Sequence, residues 1–301
     1  MPAAKIPRST TGLFGVWNGT NDGEEGYIDY GTGTANVNDP KEVEVELFDI
    51  RSMEEADKPT FKKVGYEFAT HKTELTTEQL MAGLHTEDGK RYIEDVYFKE
   101  TAEIIQKHTD GAIVVPYTFR VRENTLVRPA EFAAKNLAKK GIANAVLPVA
   151  HVGRDMETAP PRLRDIFGDK TDELVAKYKR YASINVWRPI GDTVKRWPLC
   201  MINHEGIPDW NYDTHCARVY PRNDPRVSIR GAKSHDLILK WDPRYVCHYA
   251  SDMTPDDVFI FSSFDSDQSK VAPHAAFWDN STPDDAPIRR SIEVRTWVFF
   301  E

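Results

Sequence analysis

Two histidines lie in sequence contexts that suit metal binding. His151 ends the apolar run VLPVAH, and His274 lies within VAPHAAF, so both are expected on β-strands. A histidine at the end of a strand can point into the mouth of a β-barrel, and two histidines with one carboxylate on a rigid β frame form the facial triad of non-haem iron sites, which leaves three metal positions open. The chain has nine histidines, most of which need no special explanation, so spacing alone leaves an ordinary structural role open.

The last predicted strand carries a second pattern. Arg289, Ser291, Glu293 and Arg295 alternate with mostly apolar residues, and alternate residues of a strand share one face. Such a polar face could simply contact solvent, whereas inside a barrel it would line a pocket. An Arg-x-Ser pair there suits a dicarboxylate, because the guanidinium binds one carboxylate through two parallel hydrogen bonds and the hydroxyl adds a third.

Composition excludes several classes of protein. The 301 residues are 40% hydrophobic and carry a net charge of -8, which argues against nucleic acid as a partner. Cys200, Cys216 and Cys247 are odd in number and form no CxxC pair, so neither a zinc ribbon nor a disulfide scaffold is expected. No apolar run approaches the roughly 18 residues of a membrane span, and the N-terminus makes a poor signal peptide. These features predict a cytoplasmic protein with no membrane partner.

The order of elements predicts a mainly β fold with flanking helices. Short strand-like runs separated by Pro, Asp and Gly follow one another from residue 182 to residue 300, as in a sandwich or barrel. Earlier, residues 94–108 repeat apolar residues at helical spacing and end near Asp110-Gly111. We expect an irregular arm over residues 1–40, followed by one domain over residues 41–301 in which a helical N-terminal half packs on a C-terminal β-barrel.

Several segments, taken in order, resemble one enzyme family. They are INVWRPI (184–190), WPLC (197–200), SDMTPDDVFIFSSFDS (251–266), APHAAFWD (272–279) and RRSIEVRTWVF (289–299). With them the chain resembles a fungal and bacterial hydroxylase/desaturase family that includes gibberellin desaturase, a cephem-methoxylase component and a meroterpenoid endoperoxide synthase. The resemblance covers most of the chain, from about residue 45 to its end.

This resemblance implies a double-stranded β-helix (a jelly-roll, cupin-like core) that uses iron(II), 2-oxoglutarate and dioxygen. The substrate would be a small molecule of secondary metabolism, oxidised by hydroxylation, desaturation or oxidative cyclisation. Matched by position, His151 and His274 would bind the iron. Arg289 and Ser291 would hold the 2-oxoglutarate carboxylate, with Arg295 a further candidate nearby.

One departure from the family pattern concerns the third iron ligand. The family usually has an acid two residues after the first histidine, where this chain has Gly153. We expect Asp155 to replace it, because a bend after the strand could bring its carboxylate to the metal. The alternatives are a vacant position, as in iron halogenases that bind halide there, a non-catalytic cupin-like binding protein, or another metalloenzyme on the same barrel. The oligomeric state is left open, with a homodimer as one option.

Overall fold

Alternating and continuous apolar runs form two β-sheets in the computed structural model, which describes residues 7–124, 146–223 and 234–301. The strands in these ranges are β1 (Ser9–Val16), β2 (Gly26–Asp29), β3 (Thr34–Ala35), β4 (Lys41–Asp49), β5 (Tyr66–Thr70), β6 (Ile113–Glu123), β7 (His151–Val152), β8 (Arg180–Pro189), β9 (Leu199–Asn203), β10 (Cys216–Arg222), β11 (Asp236–Leu239), β12 (Val246–Tyr249), β13 (Asp257–Asp265), β14 (His274–Ala276), β15 (Trp278–Asp279) and β16 (Arg290–Phe300). The first sheet has eleven of them in the order β15-β1-β4-β12-β9-β14-β7-β11-β10-β2-β3, and the second has five in the order β5-β13-β8-β16-β6.

The chain is therefore β-rich, as the sequence predicted. The two sheets face each other, since Met201 of the first sheet packs in one apolar cluster with Trp187 and Phe261 of the second. Strand β16 lies between β8 and β6, antiparallel to both. Its polar residues are thus held on two sides by backbone hydrogen bonds, which fixes where their side chains point.

The helices between Phe61 and Thr109 cover the outer face of the five-stranded sheet. Thr76 and Gln79 form a reciprocal capping box at the start of α2 (Thr77–His85), and Asp110 ends α4 (Phe98–Thr109) in the left-handed conformation (φ 57°), next to the predicted stop at Gly111. Ile292 and Val294 of β16 pack against this helical layer, which leaves the alternate residues of β16 facing the other sheet. The α-helices of the described ranges are α1 (Phe61–Val64), α2 (Thr77–His85), α3 (Glu87–Tyr92), α4 (Phe98–Thr109), α5 (Ala159–Phe167), α6 (Lys170–Lys177) and α7 (Tyr212–His215). A π-helical turn covers Ile93–Tyr97, and short 3-10 helices cover Ile50–Ser52, Glu55–Asp57 and Gln268–Lys270. No helix within these ranges is long and apolar enough to cross a membrane.

The N-terminal segment differs from the irregular arm expected over residues 1–40. Strand β1 pairs with β4 and β15, and β2 pairs in parallel with β10, so both belong to the large sheet. Glycine in this segment permits close packing: a Cβ on Gly12 would lie 2.5 Å from a ring carbon of Phe277. Glycine at this position therefore allows a strand to approach its neighbour closely.

Candidate active site

The two predicted histidines meet on neighbouring strands. Strand β7 pairs antiparallel with β14, and His151 is the direct cross-strand partner of His274. Directly opposed residues of antiparallel strands share one face of the sheet. The two imidazole ring centroids are accordingly 4.3 Å apart, and the Phe261 ring of the opposite sheet lies 4.5 Å from that of His274. The pair therefore faces the space between the sheets.

Hydrogen bonds fix the tautomer of both imidazoles. Nδ1 of His151 is 2.8 Å from the carbonyl oxygen of Val149, and Nδ1 of His274 is 3.0 Å from that of Ala272. A carbonyl oxygen only accepts, so Nδ1 donates in each case, and Nε2 of a neutral ring then carries a free lone pair. Burial, reinforced by His274, lowers the pKa of His151 to about 3, and burial also lowers the pKa of His274. Both rings are thus neutral near pH 7, as metal ligands must be.

Arg289 and Ser291 present unsatisfied polar atoms on the same inner face. Nη1 of Arg289 donates to the carbonyl oxygen of Trp197 at 2.6 Å, but its Nε is buried without a hydrogen-bond partner among the described residues. The buried hydroxyl of Ser291 likewise has none. Leaving such a group unsatisfied costs about 1–3 kcal/mol. These two unsatisfied polar atoms, one on β16 and one on the residue just before it, therefore mark a place where a ligand can accept or donate hydrogen bonds.

Glu293 and Arg295 continue this face but bond to each other. Nε of Arg295 donates to Oε1 of Glu293 at 3.0 Å. Burial opposes ionisation of Glu293, yet the charges of Arg295 and Arg122 outweigh it and lower the pKa of this carboxyl to about 2. Glu293 also acts electrostatically on both histidines, raising their pKa against the effect of burial. It is a charged neighbour of the histidine pair across the gap between the sheets.

Asp155, the predicted acid ligand, has other partners. Its Oδ1 accepts hydrogen bonds from the backbone amides of Glu157 and Thr158, and its Oδ2 accepts from Nε of Arg218 at 2.8 Å and Nε2 of His235 at 2.9 Å. Burial raises the pKa of Asp155, but the bonds to His235 and Arg218 prevail and hold it well below its usual range. Asp155 is 1% exposed, and its carboxylate is fully engaged in this cluster.

The geometry separates Asp155 from the histidine pair. Within residues 7–124, 146–223 and 234–301, the group of three potential ligands whose donor atoms all lie within 4.8 Å of one another is Asp155, Glu157 and His235. Neither His151 nor His274 belongs to it. The structure thus brings together two of the three predicted iron ligands and gives the Asp155 carboxylate other partners. The prediction that Asp155 binds iron is untested, and its contacts favour a structural role.

Gly153, where the family has its acid, has no room for a side chain. Its backbone N donates to the carbonyl oxygen of Ser263 at 2.9 Å. A Cβ built on Gly153 would lie 2.9 Å from Cβ and 3.1 Å from the carbonyl oxygen of Ser263. Ser263 is buried and hydrogen-bonded to strand β8, so it cannot easily move. An acid at position 153 would require the two strands to separate.

Two arginines of this face were missed by the sequence analysis. Arg120 and Arg122 of β6 are the cross-strand partners of Glu293 and Ser291, so their side chains share the inner face. Burial and the charge of Arg120 lower the pKa of Arg122 to about 10, which still leaves it protonated at neutral pH. The signal was available in the sequence, because Arg120 and Arg122 alternate with apolar residues just as the last strand does.

Comparison with known proteins supplies the family. Residues 18–299 match the family described as "Oxidoreductase/YMDC permease-like domain". Oxidoreductase R1 of Phoma sp. is 46% identical over the full length of both chains, and the hydroxylase/desaturase efuI of Hormonema carpetanum is 25% identical over 85% of this chain and 83% of its own. A solved structure of the iron and alpha-ketoglutarate-dependent endoperoxidase NvfI has the same fold, with a TM-score of 0.77, 22% identity and 99% of each chain covered. The expected resemblance to a fungal hydroxylase/desaturase family is confirmed.

Proposed function

Because the chain belongs to this family of oxidoreductases, we propose that it is a non-haem iron(II)- and 2-oxoglutarate-dependent oxygenase. It would oxidise a C–H bond of a small molecule of secondary metabolism. We infer that the two facing sheets form the double-stranded β-helix core of such enzymes. The similarity to a solved iron- and alpha-ketoglutarate-dependent enzyme in fold supports this inference.

The observation that carries the proposal is the histidine pair beside two unsatisfied polar groups. His151 and His274 would hold the iron through their free Nε2 atoms, since both Nδ1 atoms are committed to backbone carbonyls. Arg289 and Ser291 would bind the distal carboxylate of 2-oxoglutarate with the Nε and hydroxyl groups that lack partners in the described residues. The bound iron would supply dioxygen activation, driven by oxidative decarboxylation of the keto acid.

The protein's own residues would position and shield this chemistry. The carbonyls of Val149 and Ala272 hold the two imidazoles in one orientation. The ring of Trp187 lies under the Arg289 guanidinium, 5.3 Å from its central carbon, and restricts its movement. Phe261 beside His274 keeps one side of the metal position apolar and dry.

A spectroscopic titration tests the proposal without knowledge of the substrate. Iron(II)-loaded protein under anaerobic conditions should develop the weak visible metal-to-ligand charge-transfer band when 2-oxoglutarate is added. His274→Ala should abolish the band, whereas the control His85→Ala, at an exposed helical position, should retain it. A wild-type protein that binds iron(II) but gives no band with 2-oxoglutarate would contradict the proposal and favour a binding protein or a metalloenzyme that needs no keto acid.

A second candidate, a halogenase-like centre, is favoured by the close contact between Gly153 and Ser263. With no acid side chain at position 153, a halide could bind the iron at the coordination position that the acid occupies in the family. Chloride should then shift the charge-transfer band of the iron(II)–2-oxoglutarate complex, and bromide should shift it differently. A band that is insensitive to both halides would exclude this candidate and leave the oxygenase proposal standing.

A further inference from the structure

Three buried polar atoms without partners lie together near the end of β16 that is remote from Ser291. They are Nε1 of Trp297, the hydroxyl of Tyr117 and Nε of Arg162, none of which makes a hydrogen bond among the described residues. The Tyr117 ring stacks on the Trp297 ring with centroids 6.1 Å apart, and the central guanidinium carbon of Arg162 lies 5.3 Å from the Tyr117 centroid. We call these three side chains the Tyr117 cluster.

A β-bulge brings Tyr117 into this cluster. The pairing of β6 with β16 shifts by one residue between Arg295 and Thr296, which leaves Tyr117 as the extra residue of β6. A bulge turns a side chain away from the face that strict alternation would give it, and bulges are common beside binding sites. The Tyr117 ring packs on Trp297, which is fully buried. The sheet is therefore irregular at the residue that carries one of the unsatisfied atoms.

The unsatisfied atoms of the cluster can all donate hydrogen bonds. The indole N–H of Trp297 and the Nε–H of Arg162 can only donate, and the Tyr117 hydroxyl can donate or accept. They cannot satisfy one another fully, because at least two of them lack a lone pair to offer. A ligand that completes this cluster must therefore supply oxygen acceptors.

Arg154 gives the surroundings of the cluster a positive charge. It lies close to Tyr117, although the Tyr117 hydroxyl makes no hydrogen bond to it of acceptable geometry. Burial lowers the pKa of Arg154, Tyr117 raises it, and the charge of Arg162 lowers it further. Arg162 is ion-paired with Asp165 at 3.1 Å, whereas no ion pair within the described ranges includes Arg154. An anionic ligand would match this charge.

Resting on the proposed function, we infer that the Tyr117 cluster binds a carboxylate of the substrate. The two oxygens of one carboxylate can accept hydrogen bonds from several donors at once. Trp297 is four positions from Glu293 on β16, so their Cα atoms are about 13 Å apart. Arg154 follows His151 by three residues. A small molecule anchored here would thus extend toward the histidine pair, which would hold one of its C–H bonds in place for oxidation.

Calorimetry on the full-length protein tests the inference with hexanoate, methyl hexanoate and hexylammonium as probes. An apolar tail suits the surroundings, since Trp297 packs in one cluster with Phe264 and Phe299. The titrations use the anaerobic iron(II) complex, with 2-oxoglutarate at the lowest concentration that gives the full charge-transfer band, so the Arg289 position is occupied. Hexanoate should bind, the ester should bind at least about tenfold more weakly, and hexylammonium should not bind. Equal binding of acid and ester, or no binding of hexanoate, would overturn the inference.

Two conservative variants assign the binding to the cluster. Tyr117→Phe removes only the hydroxyl, and Arg162→Lys keeps the charge opposite Asp165 but removes the donor at Nε. Each should weaken hexanoate binding by about tenfold to a hundredfold, the usual effect of losing a hydrogen bond to a charged group. The matched control Arg164→Lys lies on the same helix, where Arg164 pairs with Asp172, and should change nothing. Wild-type affinity in both cluster variants would refute the assignment.

Stability measurements distinguish a ligand site from a structural role of Tyr117. Because its hydroxyl has no partner among the described residues, Tyr117→Phe should leave the free energy of unfolding unchanged or slightly raised. In the control Tyr245→Phe, the lost hydroxyl accepts from Nε1 of Trp210 at 3.1 Å, so stability should fall while hexanoate binding is kept. A Tyr117→Phe protein that loses stability and keeps hexanoate affinity would overturn the inference.

The charge-transfer band separates this inference from the proposed function. If the band forms with 2-oxoglutarate and hexanoate does not bind, only the carboxylate inference fails. If the band never forms, the proposed function fails, whereas hexanoate binding that is lost in Tyr117→Phe would still support a carboxylate site in the cluster. Retention of the band in Tyr117→Phe and Arg162→Lys shows that each variant is folded and binds the keto acid.

Discussion

Two regions of the molecule differ in how far their polar groups are hydrogen-bonded, although His151 of the one and Asp155 of the other are close in the chain. The first is the inner face with His151, His274, Arg289 and Ser291, and the second is the Asp155 cluster, which consists of Asp155, Thr158, Arg218 and His235. The Asp155 carboxylate accepts hydrogen bonds from Thr158, Arg218 and His235. On the inner face, by contrast, Arg289 Nε and Ser291 Oγ are buried without partners among the described residues. A carboxylate that accepts this many hydrogen bonds stabilises the fold, even though Nδ1 of its partner His235 is itself buried without a partner among the described residues. The unsatisfied donors beside the histidine pair are explained instead by a ligand that binds them.

This comparison assigns different consequences to mutations in the two regions. Replacing residues on the inner face should alter ligand binding and leave the free energy of unfolding nearly unchanged. Replacing residues of the Asp155 cluster should lower stability and leave binding by the remaining folded protein intact.

The largest effect is expected from the histidine pair. His151→Ala removes one of the two imidazoles that share the metal position, so turnover should fall to background and iron(II) affinity should drop sharply. Because Nδ1 of His151 bonds to the carbonyl oxygen of Val149, only two residues away in the chain, the change in thermal stability without metal should be small. Metal content and melting temperature measured on the same samples test both statements. Wild-type iron affinity in both His151→Ala and His274→Ala would refute the proposed metal centre.

Arg289→Lys should give the next largest effect. Lysine keeps the charge but loses the planar pair of donors, and it cannot place a donor where Nε now lies without a partner. The 2-oxoglutarate concentration needed for half-maximal charge-transfer absorbance should rise about tenfold to a hundredfold. Arg295→Lys is the matched control, because Arg295 already binds Glu293 and should matter less to the keto acid. The opposite ranking of the two variants would assign the anchor to Arg295.

Asp155→Ala tests the other side of the comparison. It leaves His235 and Arg218 without their shared acceptor, and breaking a buried ion pair costs about 3–5 kcal/mol. We expect the lower end of that range, because Arg218 is partly exposed and also binds Asp213. Denaturant unfolding measures the loss in the free energy of unfolding. The iron(II) affinity of the folded fraction, measured by titration, should equal that of the wild type. Loss of iron affinity with unchanged stability would instead establish Asp155 as the third ligand.

The same cluster gives a pH dependence with a definite sign. The pKa of Asp155 is depressed in the folded protein: burial raises it, but His235 and Arg218 lower it further. Its contribution to stability is therefore fully present above the unfolded value near pH 4 and is lost as the pH falls below that toward the folded pKa. Asp155→Asn, which cannot titrate, should lose less stability than wild type between about pH 4 and pH 2. If the free energy of unfolding falls equally with pH in wild type and Asp155→Asn, Asp155 does not contribute to the pH dependence in this way.

Local patterns in the sequence singled out residues of the inner face but left open whether they face solvent. Alternation placed Arg289, Ser291 and Glu293 on one face, and strand context drew attention to His151 and His274. These inferences need only the period of a strand and the expectation of a barrel. They could not predict that β7 and β14 are neighbours, because strand order depends on contacts between residues far apart in the chain.

The Asp155 cluster was not predictable in the same way. Its partners Arg218 and His235 are 63 and 80 residues away, and nothing local in the sequence links them to Asp155. The interpretation of Asp155 as a ligand followed from the missing acid at Gly153. The closeness of Gly153 to Ser263 is equally invisible in the sequence, since it depends on where β7 meets β13.

The smallest predicted effect, that of Ser291→Ala, is also the most specific to the comparison. The Ser291 hydroxyl is buried and has no hydrogen-bond partner among the described residues, so deleting it should leave stability unchanged or slightly increased. A hydroxyl that binds the keto-acid carboxylate contributes one hydrogen bond of about 0.5–1.5 kcal/mol, so 2-oxoglutarate affinity should fall roughly twofold to tenfold. Thr296→Ala on the same strand is the matched control, because its hydroxyl donates to the Ile184 carbonyl, and its loss should lower stability without affecting the keto acid. If both variants lose stability and neither loses 2-oxoglutarate affinity, the distinction between an incomplete inner face and a complete framework does not hold at Ser291.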